Sequence, residues 1–267
     1  MINILFCGNK RVVDGIKLCL LSIIKHTVQP LNVFILTSDL STINPCFVEI
    51  SQSDISSVEL EIMKINPNSK ISIVNIDNIF KPWLETCKNN TTSFTPYSFL
   101  RLFAETIPNV PNKLLYLDAD IMFNGNVEEL FNQNIEKLHI AVVLDKNGHV
   151  LIKPKYFNSG MMLLNMKQIK EDNLFSIARH ICATKKMAFP DQSALNKVNL
   201  KKIYLPRKFN EQGKLKHDTI VHHFSKKIKW FPFFHTINIK PWEIKKVQEI
   251  YKYNNYNDIY KIFEKIK

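Results

Sequence analysis

Three observations predict an α/β fold with a mostly parallel central sheet and helices on both faces. Short apolar runs at Asn3–Phe6, Val33–Leu36 and Ile71–Ile76 alternate with longer stretches of helical period, the pattern of a βαβαβ opening. A later run, Leu114–Leu117, is apolar throughout, as expected of a strand buried on both faces. The chain has 267 residues, 45% of them hydrophobic, enough for one large core.

Taken in order, Asn3–Phe6 reads as the first strand. Asp14 is placed to cap a helix whose apolar positions are Ile16, Leu20, Ile23 and Ile24. After the second strand, Ser53 or Asp54 caps a helix running to about Ile65, and Ile71–Ile76 closes the opening. Thr95-Pro96 starts another helix, with Thr at the cap and Pro at the first position, and it carries Tyr97 and Arg101 one turn apart. Leu114–Leu117, Ile140–Leu144, Tyr156–Leu164 and Thr219–Phe224 are further strands. Helices are expected near Val127–Phe131, over Leu174–Ala183 and after Pro190, where Asp191-Gln192-Ser193 sits. A polar stretch at Phe209–Asp218 is the best candidate boundary. From Trp242 the chain reads as two basic amphipathic helices, Ile244/Val247/Ile250/Tyr251 and Ile259/Ile262/Phe263/Ile266, broken at Tyr253–Asp258. This divides the chain into residues 1–242 and an extension, 243–267.

Composition narrows the function classes. The formal net charge is +12, and from Lys201 onward sixteen Lys and Arg face six Asp and Glu. Such a basic tail suits phosphorylated ligands or an anionic membrane surface. No helix-turn-helix, zinc-finger or RNP pattern accompanies it, which argues against nucleic acid. Five scattered cysteines without a CxxC pair fit a reducing compartment. The start, Met1-Ile2-Asn3-Ile4, resembles a first strand more than a leader, and no apolar run of membrane-spanning length occurs. A cytoplasmic protein is expected, peripheral on the inner membrane face if the terminal helices dock there. With six glycines and neither G-x-G-x-x-G nor G-K-[ST], the usual phosphate cradles are missing. A phosphate-bearing ligand would need a metal or lysines.

Candidate chemistry concentrates in Leu115-Tyr116-Leu117-Asp118-Ala119-Asp120. On an extended chain Asp118 and Asp120 point to the same side. Two carboxylates at the end of a buried strand repel one another and resist desolvation, and a divalent cation such as Mn²⁺ or Mg²⁺ would relieve both costs. A solvated turn is the bland alternative.

Five pieces then follow in order: Ser98-x-x-Arg101, the Asp118-Ala119-Asp120 strand end, Phe157-Asn158-Ser159-Gly160, Asp191-Gln192-Ser193, and a strand carrying His222-His223-Phe224. Together they resemble glycosyltransferase family 8, which includes glycogenin and bacterial lipopolysaccharide galactosyl- and glucosyltransferases. The resemblance runs from about Ile2 to Trp242. It implies a single nucleotide-sugar-binding domain of GT-A type, a UDP-hexose donor, Mn²⁺, retention of the anomeric configuration and a saccharide or lipid-linked saccharide acceptor. It implies metal ligation by Asp118, Asp120 and His223, with His223 favoured over His222 because neighbouring strand residues face opposite ways. It assigns Phe6, Asn9, Tyr97, Arg101, Asp118, Ala119, Asp120 and Lys229 to the nucleotide, and Asn158, Asp191 and Gln192 to the sugar and the chemistry. An amide is a weak nucleophile, so the resemblance favours attack by the acceptor on the face that UDP leaves.

The family pattern His-[YF]-x-Gly-x-x-Lys-Pro-Trp is broken here: Lys226 stands at the glycine, and no proline precedes Trp230. A Lys-Pro-Trp does occur at Lys240-Pro241-Trp242. Lys226, Lys229 and Lys240 are therefore all candidates for the diphosphate, with spacing favouring Lys229. Two other classes stay open at the level of sequence. One is an inactive transferase scaffold acting as a peripheral membrane or polyanion-binding protein; the other is a metal-dependent nucleotide hydrolase.

Overall fold

The computed structural model describes residues 1–90, 95–229 and 235–267, with Ile228 and Lys229 described at the backbone alone. The opening runs β1 (Ile2–Cys7), α1 (Val13–Ile24), β2 (Leu31–Thr37), α2 (Gln52–Ile65), β3 (Lys70–Asn75) and α3 (Asp77–Thr86). A 3-10 helix, Pro96–Thr106, leads to β4 (Lys113–Leu117), β5 (Ile121–Phe123), α4 (Glu128–Phe131), β6 (Ile140–Leu144), α5 (Gly148–Leu151) and β7 (Phe157–Asn165). Then come α6 (Met166–Glu171), α7 (Leu174–Thr184), α8 (Pro190–Lys197), β8 (Lys202–Tyr204) and β9 (Val221–His223). The chain closes with β10 (Lys227–Lys229), β11 (His235–Ile237), α9 (Ile244–Ile250) and α10 (Asn257–Ile266).

Seven strands form the central sheet in the order β3-β2-β1-β4-β7-β6-β8. Its pairings are parallel except where β7 meets β4 and β6. The sheet is covered on both faces, and strand alternation sorts the side chains. Ile4, Phe6, Val33, Ile35, Leu115 and Leu117 join α1, α2, α9 and α10 in one cluster. Leu5, Phe34, Leu36, Leu114 and Tyr116 join α3, the 3-10 helix and α6–α8 in the other. Because β1, β2 and β4 are buried on both faces, their sequences are apolar without alternation.

Several expectations are corrected. The second helix is capped by Ser51, not Ser53 or Asp54: Asp54 sits at the third helical position, and its Oδ2 accepts the Ser51 N–H at 2.9 Å. Asp14 lies inside the first turn of α1, where the helix dipole favours a carboxylate, rather than at the cap. The segment after Thr95-Pro96 winds as a 3-10 helix. At three residues per turn, Tyr97 and Arg101 no longer share a face, and they serve different parts of the site. The strand expected over Thr219–Phe224 shortens to Val221–His223 and pairs antiparallel with β5, outside the main sheet. The stretch at Phe209–Asp218 is no linker, since Asn210, Glu211 and Gln212 are buried in the wall of the site.

The C-terminal helices pack on the molecule. Val247, Tyr256, Ile259, Tyr260 and Phe263 are buried in the same cluster as α1, and Ile266 packs against it. The apolar stripe expected to meet a membrane therefore faces α1, with Ile262 left 42% exposed. Among the described residues no helix is long and apolar enough to cross a membrane. Trp230, Phe231, Phe233 and Phe234 lie outside the described residues.

Candidate active site

β4 ends at Leu117, and the chain turns through Asp118-Ala119-Asp120 into β5. Pairing of β5 with β9 sets Ile121 opposite His223, so His223 arrives beside Asp120. Its Nε2 lies 3.1 Å from Asp120 Oδ1 and 3.8 Å from Asp118 Oδ2. The ligand atoms of Asp118, Asp120 and His223 all fall within 4.8 Å of one another. The side-chain carbon of an alanine at position 160 would stand 2.3 Å from His223 Cε1 and 2.7 Å from Asp118 Oδ2, so Gly160 is what lets these groups converge. Two hard carboxylate donors and one imidazole fit a divalent cation such as Mn²⁺.

His222 points the other way, into the C-terminal aromatic cluster. Its Nδ1 lies 3.0 Å from the Tyr256 hydroxyl, and burial pushes its pKa down to about 3. His223 behaves oppositely. Burial lowers its pKa, but the Asp120 and Asp118 carboxylates outweigh burial and hold it above the ordinary value. Its Nδ1 is 3.1 Å from Asn210 Oδ1, and this contact orients the ring with Nε2 toward the carboxylates.

Arg101 is the hub of a buried polar cluster that links Asp118 to Asp191. It is buried, with NH2 2.9 Å from Asp118 Oδ1 and Nε 3.3 Å from Asp191 Oδ2. NH1 donates to the Ser159 carbonyl at 2.8 Å, and the guanidinium lies 4.6 Å from the centre of the Tyr116 ring. Burial opposes its charge, but the surrounding carboxylates raise its pKa further still. The Tyr116 hydroxyl donates to Asp118 Oδ1 at 2.6 Å. Asp120 is pushed up by burial, yet Lys240 and His223 hold it well below the carboxylate range. Lys240 Nζ donates to Asp120 Oδ2 at 2.5 Å. The segment carrying Lys240 is anchored where Trp242 packs on Gly15 of α1, an approach closed to any side chain there.

Asn9 and Tyr97 lie on the far side of β1. Asn9 caps a short 3-10 turn, accepting from Arg11 N, and its Nδ2 donates to the Cys46 carbonyl at 3.4 Å. The Tyr97 hydroxyl is 2.8 Å from the Phe47 carbonyl. Phe6 is fully buried, and Ala119 is buried in the turn between the carboxylates. The side chain of Lys229 lies outside the described residues, so of the three lysine candidates it is Lys240 that is found at the carboxylates.

β7 and α8 bring the expected sugar-side residues together. Gln192 Oε1 accepts from Ser159 N at 3.0 Å, Ser159 Oγ at 3.3 Å and Asn158 Nδ2 at 3.4 Å. Gln192 Nε2 donates to Asp145 Oδ2 at 3.1 Å, and Asn158 Nδ2 donates to the same oxygen at 3.1 Å. Asn158 Oδ1 accepts from Asn210 Nδ2 at 2.9 Å and from Gly160 N at 3.0 Å. Asp191 is buried in the first turn of α8; burial raises its pKa, partly opposed by Arg101. Sequence reasoning missed Asp145, Ser159 and Asn210. Asp145 directly follows an apolar strand, in the same relation as Asp118 to β4, and that repeated pattern was the available signal.

A mostly parallel sheet with carboxylates at the end of a central strand, a late-strand histidine and a cluster of buried amides makes up the site, and the fold that carries it is of GT-A type. The solved galactosyltransferase LgtC, in complex with donor and acceptor sugar analogues, superposes with a TM-score of 0.68 over 99% of this chain and 96% of that one, at 13% identity. The Streptococcus pneumoniae glycosyltransferase GlyE gives 0.64 over 99% and 63%, at 16% identity. The glycosyl transferase family 8 model matches residues 3–246. This chain belongs to glycosyl transferase family 8. Among curated relatives, a Haemophilus influenzae glycosyltransferase is 25% identical over 78% of this chain and 62% of its own length. The lipopolysaccharide glucosyltransferase WaaO of Escherichia coli K12 is 30% identical over 65% and 55%. The matched part thus spans only about half to three-fifths of these two relatives.

Proposed function

We propose that this protein is a metal-dependent retaining hexosyltransferase, moving galactose or glucose from a UDP-sugar to a saccharide acceptor of a cell-surface glycan or lipopolysaccharide. The observation that carries the proposal is the convergence of Asp118, Asp120 and His223 within 4.8 Å, joined through Arg101 to Asp191 beside the amides of Asn158 and Gln192. The inactive-scaffold alternative is not favoured, because membership of the glycosyl transferase family and the Asp118, Asp120 and His223 cluster both support a transferase.

Asp118, Asp120 and His223 would hold Mn²⁺ or Mg²⁺, which supplies Lewis-acid stabilisation of the charge on the departing UDP. Asn9 and Tyr97 flank the position proposed for uracil and ribose. Lys240 is the proposed diphosphate lysine, reaching the phosphates from its place on Asp120; its spacing after His223 differs from the family pattern by the insertion that contains β10 and β11. Asp191, held by Arg101, accepts hydrogen bonds from hydroxyls of the donor sugar. Gln192 already carries three donors on Oε1, so it is poorly suited to attack and well suited to orient. The acceptor oxygen attacks on the face UDP leaves, and a leaving phosphate oxygen takes its proton. The five cysteines are free, which fits a reducing, cytoplasmic compartment.

The test is UDP release and sugar transfer from UDP-galactose, UDP-glucose and UDP-N-acetylglucosamine, with Mn²⁺ and with EDTA. Turnover is expected with one hexose donor and only in the presence of metal. Undiminished transfer in EDTA overturns the metal role, and phosphate release without sugar transfer points to a nucleotide hydrolase.

A further inference from the structure

One surface feature plays no part in the chemistry above. Val150, Leu151 and Ile152 follow one another at the end of α5 and are 72%, 61% and 48% exposed. Scattered exposed aliphatic residues are ordinary, but three in succession form a patch. Lysines surround it: Lys146, Lys153 and Lys155 are exposed, and Lys202 is half-buried on the neighbouring edge strand. Among the described residues none of the four is paired with a carboxylate, as some lysines elsewhere on the molecule are, and here the four gather around the exposed aliphatic residues. Partial burial and then the charges of Lys153 and Lys155 lower the pKa of Lys202, so the positive charge here is uncompensated.

The patch lies next to the cluster of Asn158 and Gln192, joined to it through Asp145. Asp145 Oδ1 accepts from Asn147 N at 3.1 Å and Gly148 N at 2.7 Å, which fixes the start of α5. The other oxygen of the same carboxylate holds Asn158 and Gln192. Lys153 Nζ reaches across to the Asn196 carbonyl of α8 at 2.6 Å. One side chain therefore separates the exposed aliphatic residues from the sugar-side amides.

We propose that the α5 lip is the face this protein lays on an anionic lipid surface, with Val150, Leu151 and Ile152 in the headgroup region and the surrounding lysines on lipid phosphates. Apolar side chains ringed by lysines that have no carboxylate partner match such a surface in both polarity and charge. A folded protein partner would have to neutralise four lysines around three aliphatic side chains, and the neighbouring aromatic ring, Tyr204, is half-buried with its hydroxyl already on the Lys155 carbonyl. The terminal helices are poorly placed for docking, since their stripe is buried on α1. The inference rests on the proposed function only in that a lipid-linked acceptor would reach the pocket from this side.

The experiment is co-sedimentation of the full chain with phosphatidylcholine vesicles and with vesicles of 7:3 phosphatidylcholine to phosphatidylglycerol, at low and high salt. UDP affinity in Mn²⁺ is measured on the same preparations. Wild type is expected to partition at least fivefold more onto the anionic vesicles at low salt and to be released by high salt. V150S/L151S/I152S and K146Q/K155Q should each lose most of that partition at unchanged UDP affinity. A matched K261Q/I262S/K265Q variant of α10 should retain it. Wild type that stays in the supernatant with anionic vesicles overturns the proposal. So does loss of binding in the α10 variant alone, or retained binding in both lip variants. Failure of the transferase assignment would appear separately, as absent UDP binding.

Discussion

At Gly160 the backbone of β7 passes so close to His223 and Asp118 that even a methyl group would collide with both. Gly160→Ala should therefore displace the imidazole, and Mn²⁺ affinity measured by titration calorimetry should fall at least tenfold, about 1.4 kcal/mol, with little loss of helix signal. Lys240 makes an opposite pair of expectations. It is the built-in counter-cation of Asp120, so an incoming metal must displace it. Lys240→Met should raise Mn²⁺ affinity in the absence of nucleotide and lower UDP affinity in its presence; a fall in both would show that the lysine is merely structural. Asp118→Asn and Asp120→Asn should each abolish transfer while leaving thermal unfolding near wild type. Asp145→Asn keeps the shape but loses the carboxylate that accepts from Gln192 and Asn158. A lowered kcat at unchanged UDP affinity is expected, and an equal drop in UDP affinity would place Asp145 elsewhere in the mechanism.

At the scale of the element, α10 separates amphipathic pattern from actual burial. Phe263 is fully buried against α1, while Ile262, beside it in sequence, is 42% exposed. Phe263→Ala should cost about 3–5 kcal/mol by loss of transfer energy and creation of a cavity, and Ile262→Ser within about 0.5 kcal/mol, both read by urea unfolding. Near-equal costs would mean the helix does not dock as described. The 3-10 helix Pro96–Thr106 makes the complementary point. Its tighter winding sends Tyr97 toward Phe47 and Arg101 toward Asp118, so one short element serves both ends of the proposed nucleotide site.

His222 contributes a pH dependence to the stability of the whole molecule. Its folded pKa, about 3, lies below the unfolded value of 6.5. Its contribution is therefore complete above pH 6.5 and is lost as pH falls toward 3, because the unfolded chain takes up the proton that the folded one refuses. The slope of unfolding free energy from this group alone approaches 1.4 kcal/mol per pH unit in that window. His222→Phe should flatten it in a series of denaturant melts between pH 7 and pH 4; an unchanged slope would remove His222 as its source.

The α/β class, the first three strands with their helices, and the order of the motifs were legible along the chain. These are local: apolar runs, helical period and residues two apart on a strand are legible because backbone geometry turns them into faces. Strand alternation favoured His223 over His222 as the ligand, and in the structure the two rings face opposite ways, His223 toward the carboxylates and His222 into the aromatic cluster. The remaining features depend on contacts between residues distant in sequence. Lys240 lies 120 residues from Asp120, and the separation of Lys240 from His223 obscured it until the fold placed both on one carboxylate. Asn210 was taken for part of a boundary because a polar stretch reads as a loop, yet its buried amide bridges His223 and Asn158. The terminal stripe was ambiguous for a physical reason: an amphipathic helix records that one face must leave water, and only packing on α1 settles what covers it.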